Sequence, residues 1–160
     1  MEEAGYCSDP ALVRVYPGVP EALGRLREAG FRLILVTNQS GIARGYFTER
    51  EYRAVEAEFL RQIAPAWLDA AYFCSDGPGA ARRKPEPAMV LEAAQDLGID
   101  LAASYFVGDK ESDIECGRRA GVRTILVRTG YGANAECLPD FVVEDAVAAV
   151  ELIVTNGFGD

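Results

Sequence analysis

The run LILVTNQSG at residues 33–41 constrains this chain more than any other stretch: four large apolar residues end abruptly in four polar side chains and a glycine. An unbroken apolar run of this kind is the pattern of a strand buried on both faces, and a polar turn at the carboxyl end of such a strand is where open α/β sheets place their ligands. The same grammar recurs along the chain. AAYFCS (70–75), SYFVGD (104–109) and VRTILVRTG (122–130) read as further strands, and DFVVED supplies a short one near the end. Helical patterns separate them. Residues 18–30 place Val19, Leu23 and Leu26 on one face and stop at a glycine, and Thr48 with Glu51 three residues on forms a capping box. That box opens a helix to about Ala64, with Tyr52, Val55 and Phe59 inward. Residues 88–97, closed by Gly98, and residues 111–120 give two more helices, and AVAAVELIV a last one. This alternation predicts an α/β doubly wound fold of five parallel strands and about five helices. With 160 residues, 49% of them apolar and 26% charged, one domain spanning residues 1–160 is expected.

Composition narrows the function. A formal charge of −9 repels nucleic acid and anionic membranes, so neither is an expected partner, and an anionic ligand has to be small and met by a local cluster of cations. There is no histidine, and Cys7, Cys74, Cys116 and Cys137 form no CxxC, which points to buried, reduced thiols and away from a zinc site or a disulfide framework. No 18-residue apolar run occurs and MEEAGYCSDP has no signal-peptide pattern, so the expected location is cytoplasmic.

Three polar clusters follow strands. Thr37, Asn38, Gln39, Ser40 and Gly41 offer a hydroxyl, amides and turn N–H groups suited to a phosphate oxygen. Arg82, Arg83 and Lys84 form a dense positive run in an acidic protein, where arginine can grip phosphate bidentately and lysine acts as a point charge. Gly108-Asp109-Lys110-Glu111-Ser112-Asp113 places two carboxylates four residues apart at a strand end and helix start, a pattern suited to Mg²⁺. Each cluster alone has an ordinary structural reading: a capped turn, a solvated charge run, a helix N-cap. Their joint occurrence, each after a strand, is what carries weight.

Taken together, TNQSG, the Ala43-Arg44-Gly45 step, RKPEP and VGDKESD resemble the second, third and fourth motifs of the haloacid dehalogenase (HAD) superfamily of phosphatases. More narrowly, the chain from about Gly5 onward resembles the D-glycero-D-manno-heptose-1,7-bisphosphate phosphatases and their histidinol-phosphatase relatives. The resemblance implies a Mg²⁺-dependent phosphatase acting on a small sugar phosphate, heptose 1,7-bisphosphate above others, through an aspartyl phosphate. It also implies a monomer without a large cap domain. By the same resemblance Thr37 binds the transferring phosphoryl group with the Asn38 amide beside it, and Gln39 and Ser40 complete that binding turn. Lys84 neutralises charge between nucleophile and phosphoryl group, Arg83 recognises the far end of the substrate, and Lys110 contacts it. Asp109 and Asp113 are assigned to the metal, and Glu3 to Tyr6 match a substrate-contacting loop.

The chain departs from that family in two places. The family's first motif, an apolar central strand ending in Asp-x-Asp-Gly-Thr, carries the nucleophile; no Asp-x-Asp occurs in residues 1–160, and by the resemblance the motif is expected directly ahead of residue 1. The absent strand belongs between those at 31–37 and 104–108, and Leu12–Tyr16 is a poor substitute because Arg14 would be costly in a buried strand. Two expectations follow. In the favoured one Met1 is an internal methionine and the functional protein is an ordinary phosphatase; in the other the protein is a silent phosphosugar-binding module. Secondly, many relatives carry a Cys/His zinc site before RKP, where this chain keeps only Cys74, so no zinc is expected and the identity of the sugar is left open.

Overall fold

The computed structural model describes residues 5–156, so Glu3 lies outside the described residues. The chain divides into two compact units, one ending at Ala80 and one beginning at Ala81.

In the first unit, a 3-10 turn at Pro10–Leu12 is followed by α1 (Val19–Glu28), β1 (Ile34–Asn38), α2 (Ser40–Ala43), α3 (Glu49–Ile63) and β2 (Ala70–Cys74). β1 and β2 run parallel, in register from Ile34 opposite Ala70 to Asn38 opposite Cys74. The strand begins at Ile34 because Asp69 intervenes before that point: its carboxylate takes the Leu33 N–H at 2.7 Å and its own N–H donates to the Leu33 carbonyl. Ala22 and Leu26 of α1, Tyr52, Val55 and Ile63 of α3, and Cys74 of β2 are buried and form much of this unit's core. Leu12–Tyr16 is no strand. Its backbone is satisfied from the side by Gln62, which accepts the Val15 N–H at 2.9 Å and donates to the Val13 carbonyl at 2.8 Å.

The second unit comprises α4 (Ala88–Leu97), β3 (Tyr105–Gly108), α5 (Glu111–Ala120), β4 (Arg123–Val127), β5 (Phe141–Val143) and α6 (Ala146–Asn156). Its parallel sheet has the order β3-β4-β5. α5 packs on β3, β4 and α4, and α6 packs on all three strands. Met89, Ile114, Cys116 and Ile125 are buried in the core between them. No insertion of cap size separates the described elements.

The architecture is the expected α/β one, with four corrections. The five parallel strands form two sheets, because among the described residues β1 pairs only with β2 and β3 only with β4. For the same reason β1 is not buried on both faces: all five of its residues are half-buried, and Val107 in β3 is 39% exposed. Among the described residues there are six α-helices, since NQSGIARG holds the short α2, a single turn that its pattern does not distinguish from a loop. Lastly, Cys74 and Cys116 are buried but Cys7 and Cys137 are partly exposed; all four are free thiols. No described helix is long and apolar enough to cross a membrane.

Candidate active site

In the first unit the TNQSG turn extends the β1–β2 ladder by one step, because the Gln39 N–H donates to the Cys74 carbonyl at 2.7 Å. The Gln39 amide folds back and donates to Thr37 Oγ1 at 3.0 Å. Thr37 thus accepts from Gln39, while its own O–H proton donates to nothing among the described residues. A half-buried hydroxyl oriented in this way has a donor left for an incoming oxygen atom. Asn38 is half-buried beside it, and Ser40 is buried at the start of α2. Tyr6 lies edge-on to Tyr46, with ring centroids 4.9 Å apart, and both rings are about half exposed.

In the second unit the positive run does not form a patch. Arg82 is taken up by Glu92 of α4, through Nε at 2.9 Å and Nη2 at 2.6 Å. Lys84 turns inward to Asp113, with Nζ 2.7 Å from Oδ1 and side chains only 10% and 8% exposed. Arg83 between them is half-buried. The loop carrying Lys84 is strapped to α5 at two further points: Arg119 donates to the Glu86 carboxylate at 2.7 Å, and the Cys116 thiol approaches the Glu86 carbonyl at 3.4 Å. Three contacts to one helix leave Lys84 little freedom, which is how a flexible side chain becomes a preorganised charge. Burial pushes the Cys116 thiol up to about 11, so it stays protonated and is no nucleophile at neutral pH.

Asp113 is seated by two local features. It is the third residue of α5 and accepts the Lys110 N–H on Oδ2 at 3.1 Å, satisfying a donor at the helix N-terminus. Gly108 makes the room, since a Cβ there would stand 2.5 Å from the same oxygen. Asp109 faces elsewhere: its Oδ2 accepts the Tyr131 N–H at 3.1 Å. The two carboxylates expected as a metal pair therefore have different partners. Both Asp113 oxygens are engaged by lysine and backbone, whereas Asp109 keeps Oδ1 without a partner among the described residues. Among the described residues no cluster of three His, Cys, Asp or Glu side chains suited to a metal occurs. Mg²⁺ needs only one or two protein carboxylates beside phosphate and water, and the open oxygen of Asp109 fits one of those places. Lys110 is exposed, and its ammonium lies 4.1 Å from the centroid of the Tyr131 ring.

Two groups of residues lie outside the three polar clusters. Glu86, Cys116 and Arg119 act through tertiary contact, and sequence patterning had no means of pairing them. The Gly130-Tyr131-Gly132 turn does carry a signal, a GxG two residues after an apolar run. The strand reading of 122–130 absorbed its first glycine, whereas β4 ends at Val127.

The chain as a whole is similar to known proteins. A family model described as HAD-hydrolase-like matches residues 81–149. A D-glycero-D-manno-heptose-1,7-bisphosphate 7-phosphatase of Chlorobaculum tepidum is 40% identical over 81% of this chain and 76% of its own length. Its counterpart in Thermosynechococcus vestitus is 37% identical over 97% of this chain and 90% of its own. The crystal structure of D,D-heptose 1,7-bisphosphate phosphatase from B. bronchiseptica, complexed with magnesium and phosphate, superposes with a TM-score of 0.87 at 34% identity, covering 93% of this chain and 88% of that one.

Proposed function

Since this chain belongs to the D-glycero-D-manno-heptose-1,7-bisphosphate phosphatase family of the HAD superfamily, we propose that it serves Mg²⁺-dependent hydrolysis of a sugar phosphate ester, with heptose 1,7-bisphosphate as the substrate. The observation that carries this reading is the buried Lys84–Asp113 pair: a lysine held inward at 2.7 Å from its carboxylate is a fixed cation of the kind that phosphoryl transfer needs. Asp113 acts as the positioning residue of that lysine. Asp109 would hold Mg²⁺, with Oδ1 the oxygen left open to it, and the bound ion would draw charge from the phosphoryl oxygens. Thr37 donates its free O–H proton to a phosphoryl oxygen, with the Asn38 amide beside it. Arg83 and Lys110 meet the remainder of the substrate, Lys110 from its place on the Tyr131 ring. The reaction also requires an aspartyl nucleophile, which no Asp-x-Asp within residues 1–160 supplies.

A second reading, a silent phosphosugar-binding module, is favoured by the lack of any Asp-x-Asp within residues 1–160. The two separate in a polypeptide that carries an apolar strand and Asp-x-Asp-Gly-Thr ahead of residue 1. Under the phosphatase reading, BeF₃⁻ with Mg²⁺ raises the Tm of that polypeptide, and heptose 1,7-bisphosphate yields inorganic phosphate faster than histidinol phosphate does. Binding of the bisphosphate with no phosphate release and no BeF₃⁻ effect would establish the silent module instead.

A further inference from the structure

Past the end of β4 the chain turns back through Gly130, Tyr131 and Gly132 and comes against Asp109. The approach is close enough to require glycine at residue 130: its φ is +63°, and a Cβ there would stand 2.3 Å from Asp109 Oδ2. The next residue reaches the same short segment twice. Its N–H donates to Asp109 Oδ2 at 3.1 Å, and its ring lies 4.1 Å under the Lys110 ammonium. One residue therefore touches both of two sequence neighbours that face different tasks.

A turn that served only to close the strand would need neither contact. Tyr131 is 48% exposed, so burial of the ring is not what places it there. A lysine side chain loses rotamer freedom on binding an anion, and an ammonium already resting on an aromatic face has fewer conformations left to lose. Meanwhile the backbone N–H occupies Oδ2 of Asp109 and leaves Oδ1 as the oxygen available to a cation.

We propose that Tyr131 is a positioning residue for this site: its backbone orients the Asp109 carboxylate toward the metal, and its ring holds Lys110 ready for the phosphorylated sugar. The proposal rests on the reading of Asp109 as a Mg²⁺ ligand and Lys110 as a substrate contact. Backbone and ring have separable signatures. Gly130→Ala disturbs the first, and Tyr131→Leu removes the second while keeping the N–H.

The test is calorimetric titration of the 160-residue chain, first with Mg²⁺ alone and then with D-glycero-D-manno-heptose 1,7-bisphosphate at saturating Mg²⁺. Gly130→Ala is expected to weaken Mg²⁺ binding by about 10- to 100-fold, the usual cost of disturbing a group that orients a metal ligand. Tyr131→Leu is expected to keep the Mg²⁺ affinity and to weaken the bisphosphate about two- to fivefold, the size of an exposed cation–π contact. Tyr131→Phe restores native affinity because a ring is kept. In a Lys110→Met background Tyr131→Leu should add nothing, since the double cycle removes the shared partner. Native bisphosphate affinity in Tyr131→Leu, a loss that persists in the Lys110→Met background, or native Mg²⁺ affinity in Gly130→Ala would overturn the proposal. Failure of the reading beneath it shows differently: Asp109→Asn would then leave Mg²⁺ binding intact and Lys110→Met would leave bisphosphate binding intact, with Tyr131 unchanged in both.

Discussion

Lys84 and Asp113 cannot be changed singly without cost, because each is the partner that makes the other's burial tolerable. Lys84→Met strands a carboxylate that is 8% exposed, and the expected loss in folding free energy, read from urea denaturation, is about 3–5 kcal/mol. A loss below 1 kcal/mol would mean that the pair is far better solvated than its geometry indicates. Asp140 gives a prediction of a different kind. The backbone N–H and the hydroxyl of the fully buried Thr124 both donate to its Oδ2, at 2.7 and 2.8 Å, and hold its carboxyl below the ordinary range. In the unfolded chain the group titrates near about 3.9, so at acid pH the unfolded state binds the proton first. The stabilisation is complete above that value and fades as pH falls through the lower folded one. The gap between native and Asp140→Asn urea midpoints should accordingly be full at pH 7 and narrow as the pH drops below about 4; a gap independent of pH would exclude this role for the carboxylate.

Helices were more legible in the sequence than strands, and the reason is physical. The start of α3 is written locally: Thr48 accepts the Glu51 N–H, and Glu51 accepts the Thr48 N–H at 2.7 Å in return. Removal of that box by Thr48→Ala should cost about 1 kcal/mol, seen as a lower Tm, with little change expected from Arg50→Ala in the same turn. The reading placed α4 and α5 to the residue, because a glycine ends each and an apolar stripe fills each. Strand limits depend instead on a partner distant in sequence. β1 starts at Ile34, not Phe31, because Asp69 captures the Leu33 backbone and the ladder opens only at Ala70. Its half-burial is likewise a consequence of pairing on one side, which an apolar run cannot reveal. The site follows the same rule. Thr37, Lys84 and Asp109 were singled out by their motifs, whereas the pairing of Asp113 with Lys84, the diversion of Arg82 to Glu92 and the contacts of Tyr131 with Asp109 and Lys110 are set by tertiary contact.

At the scale of the whole molecule, a chain with a formal charge of −9 can attract a small anion only through cations that its fold isolates from the surrounding carboxylates. Lys84 is held by a strapped loop, with its ammonium fixed against a single carboxylate oxygen of Asp113 and both side chains largely withdrawn from solvent. The central claim, that this buried lysine serves phosphoryl transfer as well as stability, calls for a measurement that separates the two. In a polypeptide carrying the Asp-x-Asp-Gly-Thr segment ahead of residue 1, both charges are removed together by Lys84→Met and Asp113→Leu, since replacement of a buried ion pair by apolar groups is often neutral for stability. Phosphate release from heptose 1,7-bisphosphate is then followed with and without Mg²⁺, alongside urea denaturation to establish that the double variant is folded. The account predicts Mg²⁺-dependent release by the native sequence and a fall on the order of 10²–10³-fold or more in a folded double variant. Near-native turnover in that variant would contradict it, and would leave the Lys84–Asp113 pair a purely structural one.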